Sequence, residues 1–440
     1  MRRIAVVGSG ISGLSVAYHL AAHPELAQVT LFEAGDYFGG HTHTVDVEVD
    51  TPDGRRRHGV DTGFLVFNER TYPRLIDLFA KLQVETAESE MSFSVKLPDA
   101  DLEWSGSNLD TVFAQRRNLL RPAFLRMLGE VVRFNRLCTG LADACEEAAL
   151  QQPIGDFLDQ HRFGSEFRSW YFLPMIGCIW SCPTEQMLRF PVATMIRFCH
   201  NHGLLQIANR PRWFTVRGGA RNYVERMLAV IDDARLNTPV RAIRRLPGAG
   251  GFGSGGVLLA TDHGSERFDD VVLACHSDQS LAMLADPTER EQSVLGAIRY
   301  HPNRAVLHTD FSLLPNRRRA WAAWNYEHVA GRGDGAVCLH YLINRLQPLP
   351  FEQPVLVSLN PLREPRSDLV QGSFDYAHPV FDQAAIAAQR RVPEIQGIAR
   401  TWYCGAWTRY GFHEDGLMSG LGVVDGLLQQ LHSGIEREAA

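Results

Sequence analysis

The first forty residues contain a glycine pattern that could bind a phosphorylated ligand. Gly8-Ser9-Gly10-Ile11-Ser12-Gly13 directly follows the apolar run Ile4-Ala5-Val6-Val7, and Glu33 lies 20 residues beyond Gly13. Glycines at this spacing allow a tight turn, a close approach of the backbone to a pyrophosphate, and close packing of a helix on a strand. The Glu33 carboxylate could accept hydrogen bonds from both hydroxyls of a ribose and would repel a 2'-phosphate. The pattern therefore predicts binding of a dinucleotide.

A strand–helix–strand unit is needed to position these residues. Ile4 to Val7 fits a strand buried on both faces, apolar residues from Leu14 to Ala22 recur at helical spacing, and Val29 to Phe32 restores a strand. The helix N-terminus would present free N–H groups and a positive dipole end to the phosphates. The alternative is a glycine-rich turn without a ligand, and the complete unit favours the dinucleotide.

The chain after Glu33 departs from a nicotinamide dehydrogenase, which would continue with further strand–helix units. Ala34 to His41 is rich in glycine, and it is followed by the alternating Thr44 to Val49, a Pro52-Asp53-Gly54 turn and Val60-Asp61-Thr62-Gly63. This order predicts a β-hairpin rather than a helical crossover.

A second glycine-rich junction lies near the end of the chain. Trp402 to Ala406 is predicted to be a strand, Gly411 to Gly416 a turn, and apolar residues from Leu417 to Leu428 recur at helical spacing. Such a junction suits a polar or anionic ligand. The alternative is a plain helix capped by glycines.

The two long regions between these junctions differ in pattern. Residues 72–200 contain long helical patterns, such as Leu119 to Leu137 and Phe157 to Trp170, and few strand signals, whereas residues 297–394 are richer in strand signals. They are predicted to form a helical cap over a sheet.

Strand signals return between those regions. Trp213 to Ala220 leads into a predicted helix, and Thr238 to Ile243 and Phe268 to Ala274 are predicted to be strands. The run from Pro247 to Gly256 contains six glycines and is predicted to be a flexible hairpin tip.

The composition is that of a globular, enzyme-sized protein. The 440 residues are 45% hydrophobic with a formal net charge of −6, which disfavours a nucleic-acid binder because that function needs a concentrated basic face. No apolar run reaches the roughly 18 residues of a membrane span, and Met1 leads into a strand without a signal pattern. We therefore expect a cytoplasmic protein. Its eight cysteines lack paired spacing and are predicted to be reduced thiols, with no metal site.

Together these motifs resemble the flavin amine oxidase superfamily, which includes amine oxidases, protoporphyrinogen oxidases and phytoene desaturase-like enzymes. The resemblance is carried by GSGISGL, LFEA, Gly39-Gly40, Asp61-Thr62-Gly63-Phe64 and the C-terminal junction. It covers nearly the whole chain and implies FAD as the cofactor. It also implies an α/β fold in which a Rossmann-like FAD-binding domain of the amine oxidase type is interleaved with a substrate domain of mixed sheet and helical cap.

The resemblance implies that the domains are built from alternating segments. Residues 1–71, 211–296 and 395–440 are predicted to form the FAD-binding domain. Residues 72–210 would form the helical cap, and residues 297–394 the sheet of the substrate domain.

The cofactor site is implied residue by residue. In the family the glycine pair lies against the FAD diphosphate, a valine-bearing strand packs near the adenine, and the last helix points at the pyrimidine side of the flavin. The predicted cofactor-binding residues are Gly8, Gly10, Ile11, Ser12, Gly13, Glu33, Ala34, Gly40, His41, Thr42, Gly63, Phe64, Val240, Ala274, Gly405, Gly416 and Leu417.

Candidate catalytic residues come from two unusual stretches. His202, in Cys199-His200-Asn201-His202-Gly203, is a candidate for acid–base or substrate contact, and a structural histidine is the alternative. Tyr410 and His413 are predicted to lie near the flavin ring, with core packing as the alternative. His41 replaces the arginine that often follows the glycine pair, and its alternative is a histidine bonded to a backbone carbonyl.

The reaction class is predicted from a missing residue type. In many amine-oxidising members a lysine holds a water against the flavin, but this chain has only Lys81 and Lys96, and neither matches that position. We therefore predict removal of a hydride and a proton, a desaturation or dehydrogenation. The alternatives are an amine oxidase producing hydrogen peroxide, a flavin-dependent isomerase, and a non-catalytic flavoprotein partner of a lipid methyltransferase.

Residues 63–73, 201–205 and 411–416 resemble a narrower bacterial branch. Its members accompany cyclopropane-fatty-acid-synthase-like methyltransferases, which implies a hydrophobic, fatty-acyl substrate and a methyltransferase as partner. Contact with a membrane surface stays open at this point. Aromatic residues of the cap would line the pocket, with ordinary core packing as the alternative; they are Trp170, Tyr171, Phe172, Trp180, Phe190 and Phe198.

Overall fold

The computed structural model describes residues 1–52, 54–144, 152–206, 210–248, 255–331 and 337–439. The strands in these residues are β1 (Arg2–Val7), β2 (Ala27–Phe32), β3 (Thr44–Thr51), β4 (Gly54–Asp61), β5 (Phe67–Asn68), β6 (Thr86–Ser89), β7 (Phe93–Leu97), β8 (Leu102–Ser105), β9 (Trp213–Val216), β10 (Asp233–Arg235), β11 (Val240–Arg245), β12 (Val257–Thr261), β13 (Gly264–Phe268), β14 (Asp270–Leu273), β15 (Arg299–His308), β16 (Trp324–Glu327), β17 (Cys338–Leu342), β18 (Leu356–Leu359), β19 (Val370–Val380) and β20 (Thr401–Tyr403).

The helices are interspersed among these strands. They are α1 (Ile11–Ala21), α2 (Pro73–Lys81), α3 (Leu109–Val112), α4 (Pro122–Ala144), α5 (Ile154–Gln160), α6 (Ser165–Phe167), α7 (Leu173–Trp180), α8 (Thr184–Met187), α9 (Val192–Asn201), α10 (Arg221–Leu228), α11 (Ser277–Met283), α12 (Glu289–Leu295), α13 (Ile343–Leu346), α14 (Gln383–Arg391) and α15 (His413–Ala439). Short 3-10 turns lie at Pro98–Ala100, Arg116–Leu120, Phe311–Leu313, Arg318–Ala320, Ser367–Leu369, Val392–Glu394 and Ala406–Thr408, and a π turn at Arg168–Phe172.

A parallel sheet in the order β10-β2-β1-β14-β20 forms the base of the candidate site. Strand β1 lies between β2 and β14, so the glycine turn, Glu33 and Ala274 all follow the carboxyl ends of neighbouring strands. Ligands of open parallel sheets bind at that edge. The predicted strand–helix–strand unit is confirmed by β1, α1 and β2, and the predicted hairpin by the antiparallel pairing of β3 with β4.

Helix α15 lies close against α1 because it carries glycines at the contact. A Cβ added at Gly416 would lie 2.8 Å from Cγ2 of Ile11, and one added at Gly420 would lie 2.6 Å from the carbonyl oxygen of Ser12. The helix begins at His413, so the turn predicted from Gly411 to Gly416 was wrong in its second half. The Asp415 carboxylate accepts a hydrogen bond from the N–H of Phe412 at 3.0 Å and caps the first helical turn.

A seven-stranded sheet in the order β19-β15-β18-β17-β16-β7-β8 forms the floor of the substrate region. The β16–β7 pair is parallel and the other pairs are antiparallel. Because side chains alternate between faces, paired residues form rows across the strands. One row contains Phe93, Trp324, Tyr341 and Val357, and the next, on the opposite face, contains Ser94, Asn325, His340 and Ser358.

Residues 72–200 contain more strand and shorter helices than the sequence predicted. Strands β6, β7 and β8 lie in this region, and the last two extend the seven-stranded sheet. The helix predicted from Leu119 to Leu137 is α4, which begins at Pro122. The continuous helix predicted from Phe157 to Trp170 was wrong, because the chain turns between α5 and α6, where Arg162 has φ +50°.

Two further expectations concern the whole chain. In the described residues, no helix is long and apolar enough to cross a membrane. The centre of the predicted glycine-rich tip, residues 249–254, lies outside the described part of the chain, as does Asp53 of the predicted turn.

Candidate active site

The three glycines of the opening turn have different structural roles. Gly8 has φ +99°, and a Cβ at Gly13 would lie only 1.9 Å from the carbonyl oxygen of Gly8, so both positions are required by the packing of α1 on β1. A Cβ at Gly10 would meet no protein atom within 4 Å. Gly10 lines the main cavity of the molecule at the N-terminus of α1. It therefore leaves open space where free N–H groups and the helix dipole favour an anion.

Glu33 lies at the end of β2 and is held by three donors. One carboxylate oxygen accepts hydrogen bonds from the backbone N–H and hydroxyl of Ser9, at 3.0 and 2.5 Å, and the other accepts the N–H of Gly35 at 2.8 Å. The residue lines the same cavity as Gly10. A carboxylate has about four acceptor positions, so the fixed side chain retains capacity for a ligand hydroxyl.

His41 presents an unsatisfied polar atom beside the glycine turn. Its Nε2 is buried and has no hydrogen-bond partner among the described residues. The ring stacks on Tyr376 at 4.9 Å between centroids and lies 5.4 Å from the ring of His378. Burial, together with the neighbouring His378 and His276, lowers the pKa of His41 well below its usual value. A neutral ring with an unused nitrogen fits a bound group that supplies the missing hydrogen bond.

His413 forms a hydrogen-bonded group with two residues of other elements. Its Nε2 lies 2.7 Å from the hydroxyl of Tyr223, and that hydroxyl lies 2.5 Å from Oγ1 of Thr42. Phe64 stacks on the His413 ring with centroids 3.9 Å apart. Burial lowers the pKa of His413 to about 3. The imidazole is therefore neutral near pH 7.

The segment before His413 joins the cap to the cofactor side of the cavity. Phe412 stacks on Phe198 of α9 at 4.7 Å, and Tyr410 lies 6.4 Å from the same ring. His202 also stacks on Phe198, at 3.9 Å, and its Nδ1 donates to the Phe198 carbonyl at 3.0 Å. Burial lowers the pKa of His202 to about 4. His202, Tyr410 and His413 all line the main cavity.

Most of the residues predicted from the sequence meet in this one cavity. The cavity-lining cofactor candidates are Gly8, Gly10, Ile11, Ser12, Glu33, Ala34, Gly40, His41, Gly63, Phe64, Val240, Ala274 and Gly405. Four others lie behind its wall. Gly13 and Gly416 allow close packing, Thr42 bonds Tyr223, and Leu417 is buried in the core.

The cavity continues from these residues into an apolar region under the cap. Its volume is about 1160 Å³, above the roughly 300–1,000 Å³ of ordinary ligand pockets, so it has room for a dinucleotide and a second molecule. Of the cap aromatic residues predicted to line it, Tyr171, Trp180 and Phe198 do so. Phe172 and Phe190 are instead fully buried in the core, and Trp170 packs beside that core and lies under the guanidinium of Arg121.

Sequence reasoning missed a large part of the cavity wall. The row of Phe93, Trp324, Tyr341 and Val357 lines it from the seven-stranded sheet, and Tyr376 and His378 reach it from β19. The sequence feature that could have revealed these residues is the alternation of large apolar and small polar residues in these strands. That alternation identifies two faces, but it does not say which face is turned to a ligand.

The opposite face of the same sheet carries a buried polar cluster. Nε2 of His340 lies 3.1 Å from Glu327, and Nδ1 lies 2.7 Å from the hydroxyl of Ser358. Lys96 pairs with the other Glu327 oxygen at 2.8 Å. Sγ of Cys338 lies 3.5 Å from Nε2 of His340, which gives three groups with metal-ligand geometry. Lys96 and His340 each bond one oxygen of the Glu327 carboxylate, so the three side chains form a buried, hydrogen-bonded ion cluster.

Neither of the two lysines lies in the cavity. Lys96 lies on the sheet face away from the cavity, and Lys81 is exposed at the end of α2. No lysine lines the main cavity in the described residues, and the chain has no third lysine.

The inner lobe of the cavity fits the ADP half of FAD. The open space at Gly10 suits a diphosphate, the Glu33 carboxylate is held where it could accept ribose hydroxyls, and Nε2 of His41 is buried without a partner beside the glycine turn. These groups come from separate segments of the chain and meet at the carboxyl edge of the parallel sheet.

The model of the family described as flavin containing amine oxidoreductase matches residues 11–309. Solved structures with the same fold include the cyclohexylamine oxidase from Brevibacterium oxydans, which is 15% identical over 98% of this chain and 99% of that chain, with a TM-score of 0.67. The CLA-producing fatty acid isomerase from P. acnes is 14% identical over 96% of this chain and 98% of that chain, with a TM-score of 0.64. At these identities the likeness concerns the fold.

Proposed function

Because the chain belongs to the flavin containing amine oxidoreductase family, and is an FAD-dependent oxidoreductase, we propose that it removes a hydride and a proton from a fatty-acyl lipid. One observation carries the choice of substrate. The cavity continues from the cofactor lobe into an apolar lobe under the cap that no lysine lines in the described residues.

The cofactor would be held by the residues described above. The N-terminus of α1 at Gly10 would bind the diphosphate, Glu33 would accept the ribose hydroxyls, and His41 would supply a hydrogen bond from its unpaired nitrogen. Bound FAD supplies the acceptor for a hydride. Every other requirement of the reaction falls to the side chains around the substrate.

The apolar lobe supports an acyl chain rather than an amine. Phe93, Trp104, Met175, Trp324 and Tyr341 line it, and such walls exclude water and favour a hydrocarbon by the hydrophobic effect. A cationic amine would lose its hydration there, and the described wall offers no lysine-held water to receive its proton. The wall therefore favours substrates without a charged nitrogen.

The His413–Tyr223 pair is proposed to position groups where the cap meets the cofactor lobe. The imidazole stays neutral because burial lowers its pKa to about 3, so it offers a hydrogen bond without a charge. Its stack on Phe64 and its bond to Tyr223 fix the ring. The proton lost by the substrate would pass to a neighbouring base or to water.

The test is anaerobic reduction of the bound flavin by defined lipids. Phospholipids with saturated, monounsaturated and methyl-branched unsaturated chains are compared with a panel of amines, and bleaching of the flavin absorbance is followed. We expect bleaching by one class of acyl lipid, with a product two hydrogens lighter by mass spectrometry. Bleaching by amines alone, with peroxide released in air, would establish amine oxidation instead, and a flavin that no lipid or amine bleaches would favour a non-catalytic flavoprotein.

A matched pair of substitutions on α4 ties the activity to the apolar lobe. Leu128 lines the cavity, whereas Leu125 of the same helix is 44% exposed and does not. The Leu128→Trp protein should retain FAD, but the lipid should reduce the flavin more slowly, because the larger tryptophan side chain occupies space needed by the acyl chain. Leu125→Trp should leave the rate unchanged with lipid dispersed in detergent, because its side chain does not line the cavity.

Isomerisation is the second candidate, since a solved protein of this fold is named as a CLA-producing fatty acid isomerase. An isomerase would return the hydride, so the product mass would equal that of the substrate while a double bond moves. The cytoplasmic location and the methyltransferase partner stay predictions from the sequence.

A further inference from the structure

Exposed apolar side chains recur along residues 109–132, where Leu109 and Val132 bring the cavity wall to the surface. Ten large apolar side chains are exposed in the part of the chain that the structure describes, and five lie between residues 109 and 132. Their exposed fractions are 79% for Leu109, 49% for Leu119, 87% for Leu120, 44% for Leu125 and 45% for Val132. Such a concentration in one short segment is unusual for a surface that faces only water.

This apolar surface is continuous with the cavity wall. Leu109 of α3 and Val132 of α4 are exposed and also line the cavity. On α4 the cavity-lining positions Leu128, Val131, Val132 and Asn135 follow helical spacing. Leu125 extends the same stripe by one turn toward the exposed end of the helix, so the apolar lining passes without interruption onto the surface.

The two sides of the opening are held together from within. Phe113, just after α3, packs edge-on against the fully buried Phe124 of α4 with centroids 5.9 Å apart. Trp104 packs against Phe124 at 6.0 Å. Leu119 and Leu120 therefore lie on a short turn anchored at both ends and stand outward without lining the cavity.

The same segment is basic in an acidic protein. Residues 109–136 contain six arginines and two acidic residues, a net charge of +4, whereas the whole chain carries −6. Arg116 pairs with Asp110 and Arg117 with Asp101, while Arg126 is 64% exposed and lies 3.9 Å from Glu166. Arg319, in the 3-10 turn Arg318–Ala320, lies 3.6 Å from Asp110 and adds a further positive charge beside this segment.

We propose that this surface docks the opening of the cavity on an acidic phospholipid bilayer. Leu119 and Leu120 would enter the boundary between headgroups and acyl chains, and the surrounding arginines would attract anionic headgroups. An apolar tip with a basic rim matches such a bilayer, whereas an acidic protein partner would leave the apolar tip unmatched. The purpose of the docking, delivery of an acyl chain into the cavity, rests on the proposed function, but the binding itself does not.

Vesicle sedimentation tests the binding with the FAD-loaded protein. Vesicles of phosphatidylglycerol are compared with vesicles of phosphatidylcholine, in low and high salt. We expect the protein to bind phosphatidylglycerol, and to bind it more weakly in high salt because the charges are screened. Substitution of an arginine that contacts the headgroups should weaken binding about fivefold. The Leu119→Ser/Leu120→Ser protein should bind at least about tenfold more weakly, because two exposed leucines no longer insert.

A matched control separates this surface from general stickiness. Val230 and Ile398 are 49% and 48% exposed elsewhere on the molecule, so Val230→Ser/Ile398→Ser should bind vesicles as the wild type does. Equal binding by the leucine variant and the wild type, or no binding of the wild type to phosphatidylglycerol, would overturn the proposal. Loss of a dimer in the leucine variant, without any vesicle binding by the wild type, would assign the surface to self-association and also overturn it.

Flavin reduction distinguishes this proposal from the proposed function. The leucine variant should reduce its flavin normally with lipid dispersed in detergent and more slowly with the same lipid in vesicles. If the wild type binds vesicles through these leucines but no lipid reduces the flavin, docking stands and the lipid substrate fails. If lipid in vesicles reduces both proteins at the same rate, docking fails and the substrate stands.

Discussion

Alanine at Gly10 should weaken FAD binding without destabilising the fold. The backbone of Gly10 has φ −62° and ψ 173°, which alanine adopts freely, and the added Cβ would meet no protein atom within 4 Å. Alanine is a poorer N-cap than glycine, but it also restricts the unfolded chain, and the two effects of about 0.5–1 kcal/mol oppose each other. We therefore expect the Tm of the FAD-free protein to change by less than about 2 °C.

The substitution should instead lower the affinity for the cofactor. A methyl group in the space at the helix N-terminus would displace the diphosphate from at least one N–H group, at a cost of about 1.5–3 kcal/mol. That cost corresponds to a Kd roughly 10- to 150-fold higher, measured by titrating FAD into deflavinated protein. Gly13→Ala should lower both Tm and FAD content, because its Cβ would lie 1.9 Å from the carbonyl oxygen of Gly8. Gly422→Ala, whose Cβ also meets no protein atom within 4 Å, should leave the FAD content unchanged and should not lower Tm, because alanine is favoured over glycine inside a helix. A wild-type Kd in Gly10→Ala would refute the assignment of the diphosphate site.

Three other substitutions test the wall of the cavity and its support. Tyr223→Phe should retain FAD but slow flavin reduction about five- to tenfold in stopped-flow measurements, because His413 loses its 2.7 Å partner; an unchanged rate would remove the pair from the site. Glu327→Gln should lower the free energy of unfolding by about 3 kcal/mol. Burial raises the pKa of Glu327, but the neighbouring His340 and Lys96 outweigh burial and bring this pKa to about 2. Burial lowers the pKa of His340, but the neighbouring Cys338 and Glu327 outweigh burial and bring this pKa to about 9. The Glu327–His340 pair therefore contributes its full stabilisation of the fold between about pH 4.5 and 6.5, and this contribution is lost as the pH falls toward 2 or rises through 9. The free energies of unfolding of the wild type and the variant, from denaturant melts, should converge at both extremes of pH. Glu414→Gln should cost about 1–2 kcal/mol in the same melts, because the carboxylate accepts the N–H groups of Arg74 and Leu75 at 2.8 and 2.9 Å at the start of α2; an unchanged midpoint would show that this cap is dispensable.

The cofactor half of the fold could be predicted because local sequence encodes it. Residues Ile4 to Glu33 carry a buried strand, a glycine turn, a helical repeat and a second strand within one short stretch. Each signal depends only on neighbours in the chain, and the signals agree with one another. The predicted elements β1, α1 and β2 are therefore confirmed, with ends that differ from the prediction by at most three residues.

The substrate half was harder because its strands are paired over long distances. Phe93 to Lys96 pairs in parallel with Trp324 to Glu327, more than two hundred residues away. Nothing local distinguishes such a strand from part of an apolar helical region. The helices also depended on contacts, since the turn at Arg162 interrupts a pattern that reads as continuous.

The candidate site shows the same division. The place of Gly10 and Glu33 in one cavity was predictable because the motif puts both at the carboxyl ends of neighbouring strands. Tyr223 and Tyr376 were missed because their roles depend on partners from other segments, among them His413 for the first and His41 for the second. A tyrosine in a helix or strand carries no mark of that partner until the chain is folded.

The seven-stranded sheet explains how one set of strands supplies both an apolar cavity and a buried ion pair. Side chains alternate with a period of two, so a shift of one residue would turn Ser94 and His340 into the cavity and Phe93 and Tyr341 away from it. Asn325 opposes such a shift: its amide donates to the His340 carbonyl at 2.9 Å, and its oxygen accepts the Ser94 hydroxyl at 2.7 Å. These bonds exist in one register only. The apolar character of the apolar lobe wall therefore depends on polar contacts on the opposite face of the sheet, away from the cavity.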